Sequence, residues 1–124
     1  MTPFEVWKDP NTEAIFYFSH SDEVMTTGIL FIPPNTELPK HNRPLAYENL
    51  VQVSGSCTMT VFEDENDEVG LNHVLNVGNE LRMDKGKHHI HANPNNEPSY
   101  TLYKAEGDIT AVMEVLRANF EKLN

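Results

Sequence analysis

From residue 13 to residue 105 the chain is a succession of short apolar runs separated by turn residues, the pattern of an all-β sandwich or barrel. The runs predict strands over 14–19, 25–32, 48–53, 57–62, 71–77, 80–83, 88–92 and 99–104. That is about eight strands, enough to close a small barrel. Pro33-Pro34-Asn35, Ser54-Gly55-Ser56, Val77-Gly78-Asn79, Asp84-Lys85-Gly86 and Asn93-Pro94-Asn95-Asn96-Glu97-Pro98 fall between runs, where the backbone can reverse. After Gly107 the period changes: Ile109, Val112, Met113, Leu116, Phe120 and Leu123 recur at helical spacing, with Asp108 available as N-cap. A helix is predicted over about 108–123, its apolar stripe covering either a barrel face or a partner subunit. Val115 on the flank leaves 109–116 open to a strand reading.

Composition narrows the class. The 124 residues are 39% apolar, which suits one domain spanning 1–124, with the barrel over about 13–105. The single cysteine, Cys57, lies in an apolar run and reads as a buried thiol, so no internal disulfide framework is expected. The start, Met1-Thr2-Pro3-Phe4-Glu5, has no charged and apolar leader pattern, and no segment has the length of a bilayer span. A cytoplasmic protein is expected. A net charge of −10 argues against nucleic acid and against anionic membranes as partners. Much of the excess lies in Glu63-Asp64-Glu65-Asn66-Asp67-Glu68, read as a solvated turn because it lacks the ligand spacing and glycine of a calcium-binding EF-hand.

Candidate chemistry is concentrated in two windows. Four of the six histidines and five of the nine basic side chains fall within 40–43 and 82–91. Imidazoles and a carboxylate brought from separate strands to one point are what a mononuclear metal or a buried acid–base site requires. The windows are therefore expected to meet in space.

The first window reads Asn35-x5-His41-x-Arg43-x4-Glu48-x6-Gly55 and the second Gly78-x5-Asp84-x-Gly86-x2-His89-x3-Asn93. Both resemble the paired motifs of the cupin superfamily, G-x5-H-x-H-x4-E-x6-G and G-x5-P-x-G-x2-H-x3-N, with every spacing kept. The resemblance covers residues 35–93 and implies a jelly-roll β-barrel, here with a short C-terminal helix. Three positions depart. Asn35 stands for the first glycine, but asparagine tolerates a left-handed backbone. Asp84 stands for the proline and also favours turns. Arg43 stands where the second histidine ligand is usual, and a guanidinium has no lone pair to give a metal.

The resemblance implies His41, Glu48 and His89 as ligands of a divalent metal, iron, manganese, nickel or zinc, and strand alternation offers His91 on the face of His89 as a shifted fourth. His88 is expected to point away. A second reading pairs Arg43 with Glu48 and leaves a metal-free pocket for a small acid or sugar. A third keeps the metal and gives Arg43 the carboxylate or phosphate of a small substrate. Tyr47, Gln52, Tyr100 and Tyr103 are candidates to line the cavity, Arg43, Tyr47, Gln52 and Tyr103 forming the ligand-binding set. Lys40, Arg82, Lys85 and Lys87 are candidates to ring its mouth, whereas His20 and His73 read as surface residues. A metal-dependent enzyme (dioxygenase, isomerase or epimerase, or decarboxylase), a non-catalytic binding module and a structural dimerisation domain all fit this pattern. A homodimer that covers edge strands is expected.

Overall fold

The computed structural model describes residues 4–124. Eleven strands and one helix follow in chain order: β1 (Glu5–Lys8), β2 (Ile15–Ser21), β3 (Met25–Ile32), β4 (Thr36–Glu37), β5 (Ala46–Ser54) and β6 (Cys57–Val61) come first. They are followed by β7 (Leu71–Leu75), β8 (Glu80–Met83), β9 (His89–Asn93), β10 (Ser99–Gly107), α1 (Thr110–Asn119) and β11 (Glu121–Lys122). A seven-stranded sheet runs β11-β1-β2-β3-β10-β5-β8 and a four-stranded sheet runs β4-β9-β6-β7, with every pairing antiparallel. This is a jelly-roll barrel with a helix near its C-terminal end.

The strands form because one face of each can be buried. In β3 the alternation is complete: Thr26, Gly28, Leu30 and Ile32 point inward while their neighbours are partly exposed. The expected strands over 25–32 and 80–83 are found at those limits, and β5 and β10 run longer than expected because they pair with each other along most of their length. The short strands β1, β4 and β11 are not apparent in the apolar pattern. They are held by partners distant in sequence, Trp7 opposite Lys122 and Thr36 opposite Asn93.

The C-terminal segment is a helix, which decides the open reading of 109–116, but it occupies Thr110–Asn119 rather than 108–123. Asp108 is not the N-cap. It sits one residue earlier, its Oδ1 accepting from the Thr110 backbone N–H and hydroxyl, while Ile109 caps without a side-chain bond. The helix stops at Phe120, whose N–H reaches the Leu116 carbonyl, because the next residues gain a strand partner in β1. Met113 and Leu116 face the barrel and Val115 faces out, so the stripe covers the barrel face.

Two apolar clusters result. One, inside the barrel, contains Leu30, Ile32, Leu38, Leu50, Met59 and Met83; the other, under the helix, contains Trp7, Phe18, Ala46, Ala105, Ile109, Met113 and Leu116. Phe16 and Tyr103 pack against both. Two motif positions depend on backbone freedom: Asn35 has φ 54°, the left-handed conformation expected of it, and Gly55 has φ 68° with the Pro98 carbonyl where a Cβ would lie. Cys57 is fully buried, as its apolar run predicts. Among the described residues no helix is long and apolar enough to cross a membrane.

Candidate metal centre

The two histidine windows are hydrogen-bonded to each other. His41 and His89 exchange both backbone bonds, at 3.1 and 2.9 Å, in an antiparallel bridge. Next to it the Gly86 N–H donates to the Arg43 carbonyl at 3.1 Å and the Asn42 amide donates to the Gly86 carbonyl. Asn93, at the end of β9, donates from Nδ2 to the carbonyls of Ile32, Pro33 and Glu97 and accepts at Oδ1 from Asn95, which ties the second window to the turn after β3. The backbone thus sets the spacing of the site before any side chain takes part.

On that frame His41, His89 and His91 each present a ring nitrogen, and these atoms lie within 4.8 Å of one another. His89 and His91 share the inward face of β9, as strand alternation requires, and His88 lies outside that strand. The tautomers follow from the neighbours. His41 Nδ1 lies 2.8 Å from the Pro39 carbonyl and His89 Nδ1 lies 2.9 Å from the Lys87 carbonyl. A carbonyl only accepts, so both Nδ1 atoms carry a proton and each ring turns its Nε2 into the site, the orientation that metal-ligating histidines adopt. The His91 Nδ1 atom is buried without a hydrogen-bond partner.

Glu48 stands beside this trio and outside it. Its Oε2 is 2.9 Å from His89 Nε2 and its Oε1 is 3.7 Å from Arg43 Nε. The first contact is short, although His89 Nε2 counts no hydrogen-bond partner. A carboxylate oxygen and a ring nitrogen so close favour a proton or a cation between them. Burial tends to raise the Glu48 carboxyl, yet the adjacent His89 ring and the Arg43 charge outweigh it and hold the group below its ordinary value, as carboxylate. Burial, aided by the charge of Arg43, lowers His41 to about 3 and lowers His91 well below the ordinary histidine value. Both rings are therefore neutral at pH 7.

A cavity of about 40 Å³ joins His41, His91, Glu48, Arg43 and Tyr103 to an apolar wall of Phe18, Leu50, Ile109 and Met113. It has room for an ion and one or two water-sized groups. The Tyr103 hydroxyl is buried without a partner, and burial raises its pKa well above the usual value, so it is a neutral phenol facing the cavity. The residues hidden from sequence reasoning are the wall: Phe16, Phe18, Leu38 and the helix side chains look like ordinary core positions. The only available signal is the helical stripe after Gly107.

Other expected residues lie elsewhere. Gln52 is buried, but its amide donates to Ser54 and Ser99 and its oxygen accepts from Thr101, and it does not line the cavity. Tyr47 faces the other side of β5, where Arg82 and Lys85 lie over its ring. Tyr100 is also outside the cavity, packed against Phe31. The four cations do not ring its mouth: Arg82 pairs with Asn49 and Glu106, Lys87 reaches the Glu63 carbonyl, Lys40 covers Phe62, and Lys85 is the second cation over Tyr47. His20 pairs with Asp22 at the surface.

No protein-family model matches the sequence, and no curated protein does. Solved structures do match. The Schizosaccharomyces pombe Cnp3 cupin domain superposes with a TM-score of 0.66 at 14% identity, over 82% of this chain and 66% of that one. The chain has a cupin fold. Oxalate oxidase in complex with glycolate matches this chain with a TM-score of 0.61 at 15% identity, over 67% of this chain and 42% of that one. A deletion mutant of Bacillus subtilis oxalate decarboxylase gives 0.67 at 19%, over 77% and 26%. The chain thus spans at most about two thirds of the length of these structures.

Proposed function

We propose that this cupin binds a divalent metal through His41, His89 and His91 and uses Arg43 to hold the acidic group of a small substrate. One observation carries the reading: three inward-facing imidazoles, two of them with Nδ1 protons set by backbone carbonyls, converge within 4.8 Å and leave His89 Nε2 and His91 Nδ1 without hydrogen-bond partners. Burying such atoms without a partner costs about 1–3 kcal/mol each, a penalty a coordinated ion removes. Nitrogen-rich sites of this kind suit iron, manganese, nickel or zinc. Glu48 fits better as neighbour than as fourth ligand, because Arg43 competes for it. The expected ligand set of His41, Glu48 and His89 is thereby shifted to the three histidines.

When bound, the metal supplies a Lewis acid with open positions. The chain's own residues do the rest. Arg43 orients an anionic group, Glu48 as carboxylate accepts a proton within the cavity, and the phenol of Tyr103 donates a hydrogen bond. The apolar wall excludes bulk water, which strengthens each of these contacts. The oxalate enzymes among the similar structures support a small carboxylate as substrate class. We propose an enzyme rather than a storage or dimerisation module because a carboxylate, a cation and a buried phenol are poised around the same space. Dioxygenase, isomerase and decarboxylase chemistries all fit that equipment.

The test is metal content after dialysis against manganese, iron(II), nickel and zinc. One equivalent of one of them is expected, lost on His41→Ala, His89→Ala or His91→Ala and kept on Glu48→Gln. Retention by His91→Ala with loss by Glu48→Gln would restore the carboxylate to the ligand set and overturn the three-histidine reading.

We further propose a homodimer. The free edge of the four-stranded sheet, β7, and its flanks expose Val69, Leu71, Val74 and Val77, apolar groups that a second copy would cover. The charge of −10 and the lone buried thiol support a cytoplasmic location with no nucleic-acid partner.

A further inference from the structure

The cavity lined by His41 and His91 continues to the surface. Phe16, Leu38, His41, Arg43, Val112 and Leu116 line both the enclosed space and an open groove of about 630 Å³ between the loop at 39–44 and one side of α1. Farther out the groove is walled by Pro39, Pro44, Val115 and Phe120. Polar side chains there are Asp9, Asn11 and Asn119, besides the two shared site residues. Asp9 is buried, with one carboxylate oxygen accepting from the Asn11 N–H and the other from the Thr12 hydroxyl, so its charge is already engaged.

Charge and shape define an occupant. Arg43 and Glu48 are opposite charges side by side, and an imidazole coordinates a metal only in its uncharged form, so a divalent ion at the histidines would leave the inner site with a charge of about +2, which a low-dielectric cavity retains only with an anion beside it. Arg43 directs Nε toward Glu48 and Nη1 to the Asn42 carbonyl, leaving Nη2 as its donor for a ligand among the described residues. The enclosed cavity of about 40 Å³ admits only a head group. Whatever is attached to that head group must lie along an apolar groove.

We infer that the site takes an amphiphilic carboxylate, its carboxylate at Arg43 and the metal and its apolar body against Leu38, Val112, Val115 and Phe120. The head-group part rests on the metal-site reading above; the tail part rests on the groove alone.

Calorimetry of zinc-loaded protein with acetate, butyrate, hexanoate and hexanol tests it. The dissociation constant is expected to fall about fourfold per added methylene up to hexanoate, with hexanol at least about tenfold weaker because it lacks the charge. Val115→Asp, at an exposed position, is expected to weaken hexanoate while leaving acetate and zinc binding unchanged. Arg43→Gln is expected to abolish the preference for hexanoate over hexanol. Equal affinity along the acid series overturns the inference, as does a Val115→Asp variant that changes the sedimentation of the protein but not its hexanoate binding, since a second copy would then own the groove. Failure of zinc to bind, with the chain-length ladder still present in metal-free protein, sinks the metal reading and leaves the tail site standing.

Discussion

Crowding three imidazoles and a guanidinium into one buried space has a measurable consequence for each residue. His41 protonates only at about 3 in the folded protein because burial and the Arg43 charge oppose a second cation. In the unfolded chain the same ring protonates near 6.5. Between those values the unfolded state binds more protons, so stability of metal-free protein falls as pH drops from about 6.5 toward 3 and is fully present above that range. His91 adds in the same direction. Urea unfolding with a chelator present is expected to show this slope, shallower in His41→Gln. Cys57 gives an independent check. Burial lifts its thiol to about 11, so labelling by a thiol reagent at pH 8 is expected to be slow and to track global unfolding. At this scale the meeting of His41 and His89 was legible from spacing, and the shared face of His89 and His91 from strand alternation. The expectation that Tyr47 lines the cavity fails because neighbours along β5 alternate and Glu48 takes the inward face, and the saturation of Gln52 by Ser54, Ser99 and Thr101 depends on contacts made only on folding.

Among the elements, α1 is the one whose placement matters most, because it forms one wall of the cavity and one side of the groove that leads into it. It is anchored at two points: Met113 and Leu116 beneath it, and a bidentate Arg117–Glu5 pair at 2.6 and 3.0 Å linking it to β1. Met113→Ala is expected to cost about 2–5 kcal/mol, read by chemical denaturation. Arg117→Ala, partly exposed and screened, is expected to cost about 0.5–1 kcal/mol and to speed backbone amide exchange in 110–119 more than in the barrel. In the barrel, Gly55→Ala meets both a positive φ and the Pro98 carbonyl, so a loss above about 1 kcal/mol is expected in the same assay. The helix was visible as a change of period after Gly107. Its early end at Asn119 was not, because the competing interaction, pairing of Glu121 and Lys122 with β1, joins the two ends of the chain.

For the whole molecule, an acidic surface and a free β7 edge act against each other: charge keeps copies apart while exposed Val69, Leu71 and Val74 favour contact. The proposed dimer is therefore expected to tighten with salt, and Val74→Lys is expected to shift the sedimentation profile toward monomer without changing metal content. The sequence by itself determined the all-β architecture, the buried thiol and the convergence of residues 41 and 89, since these depend on local periodicity, turn chemistry and the spacing of ligand-type side chains. Only the tertiary structure decided that Glu48 lies between His89 and Arg43 while His91 joins the other two histidines, that the helix forms one wall of the cavity, and that an apolar groove leads into it. Those outcomes are settled by which atoms remain unsatisfied and which surfaces remain uncovered once distant segments pack, quantities that no single stretch of chain contains.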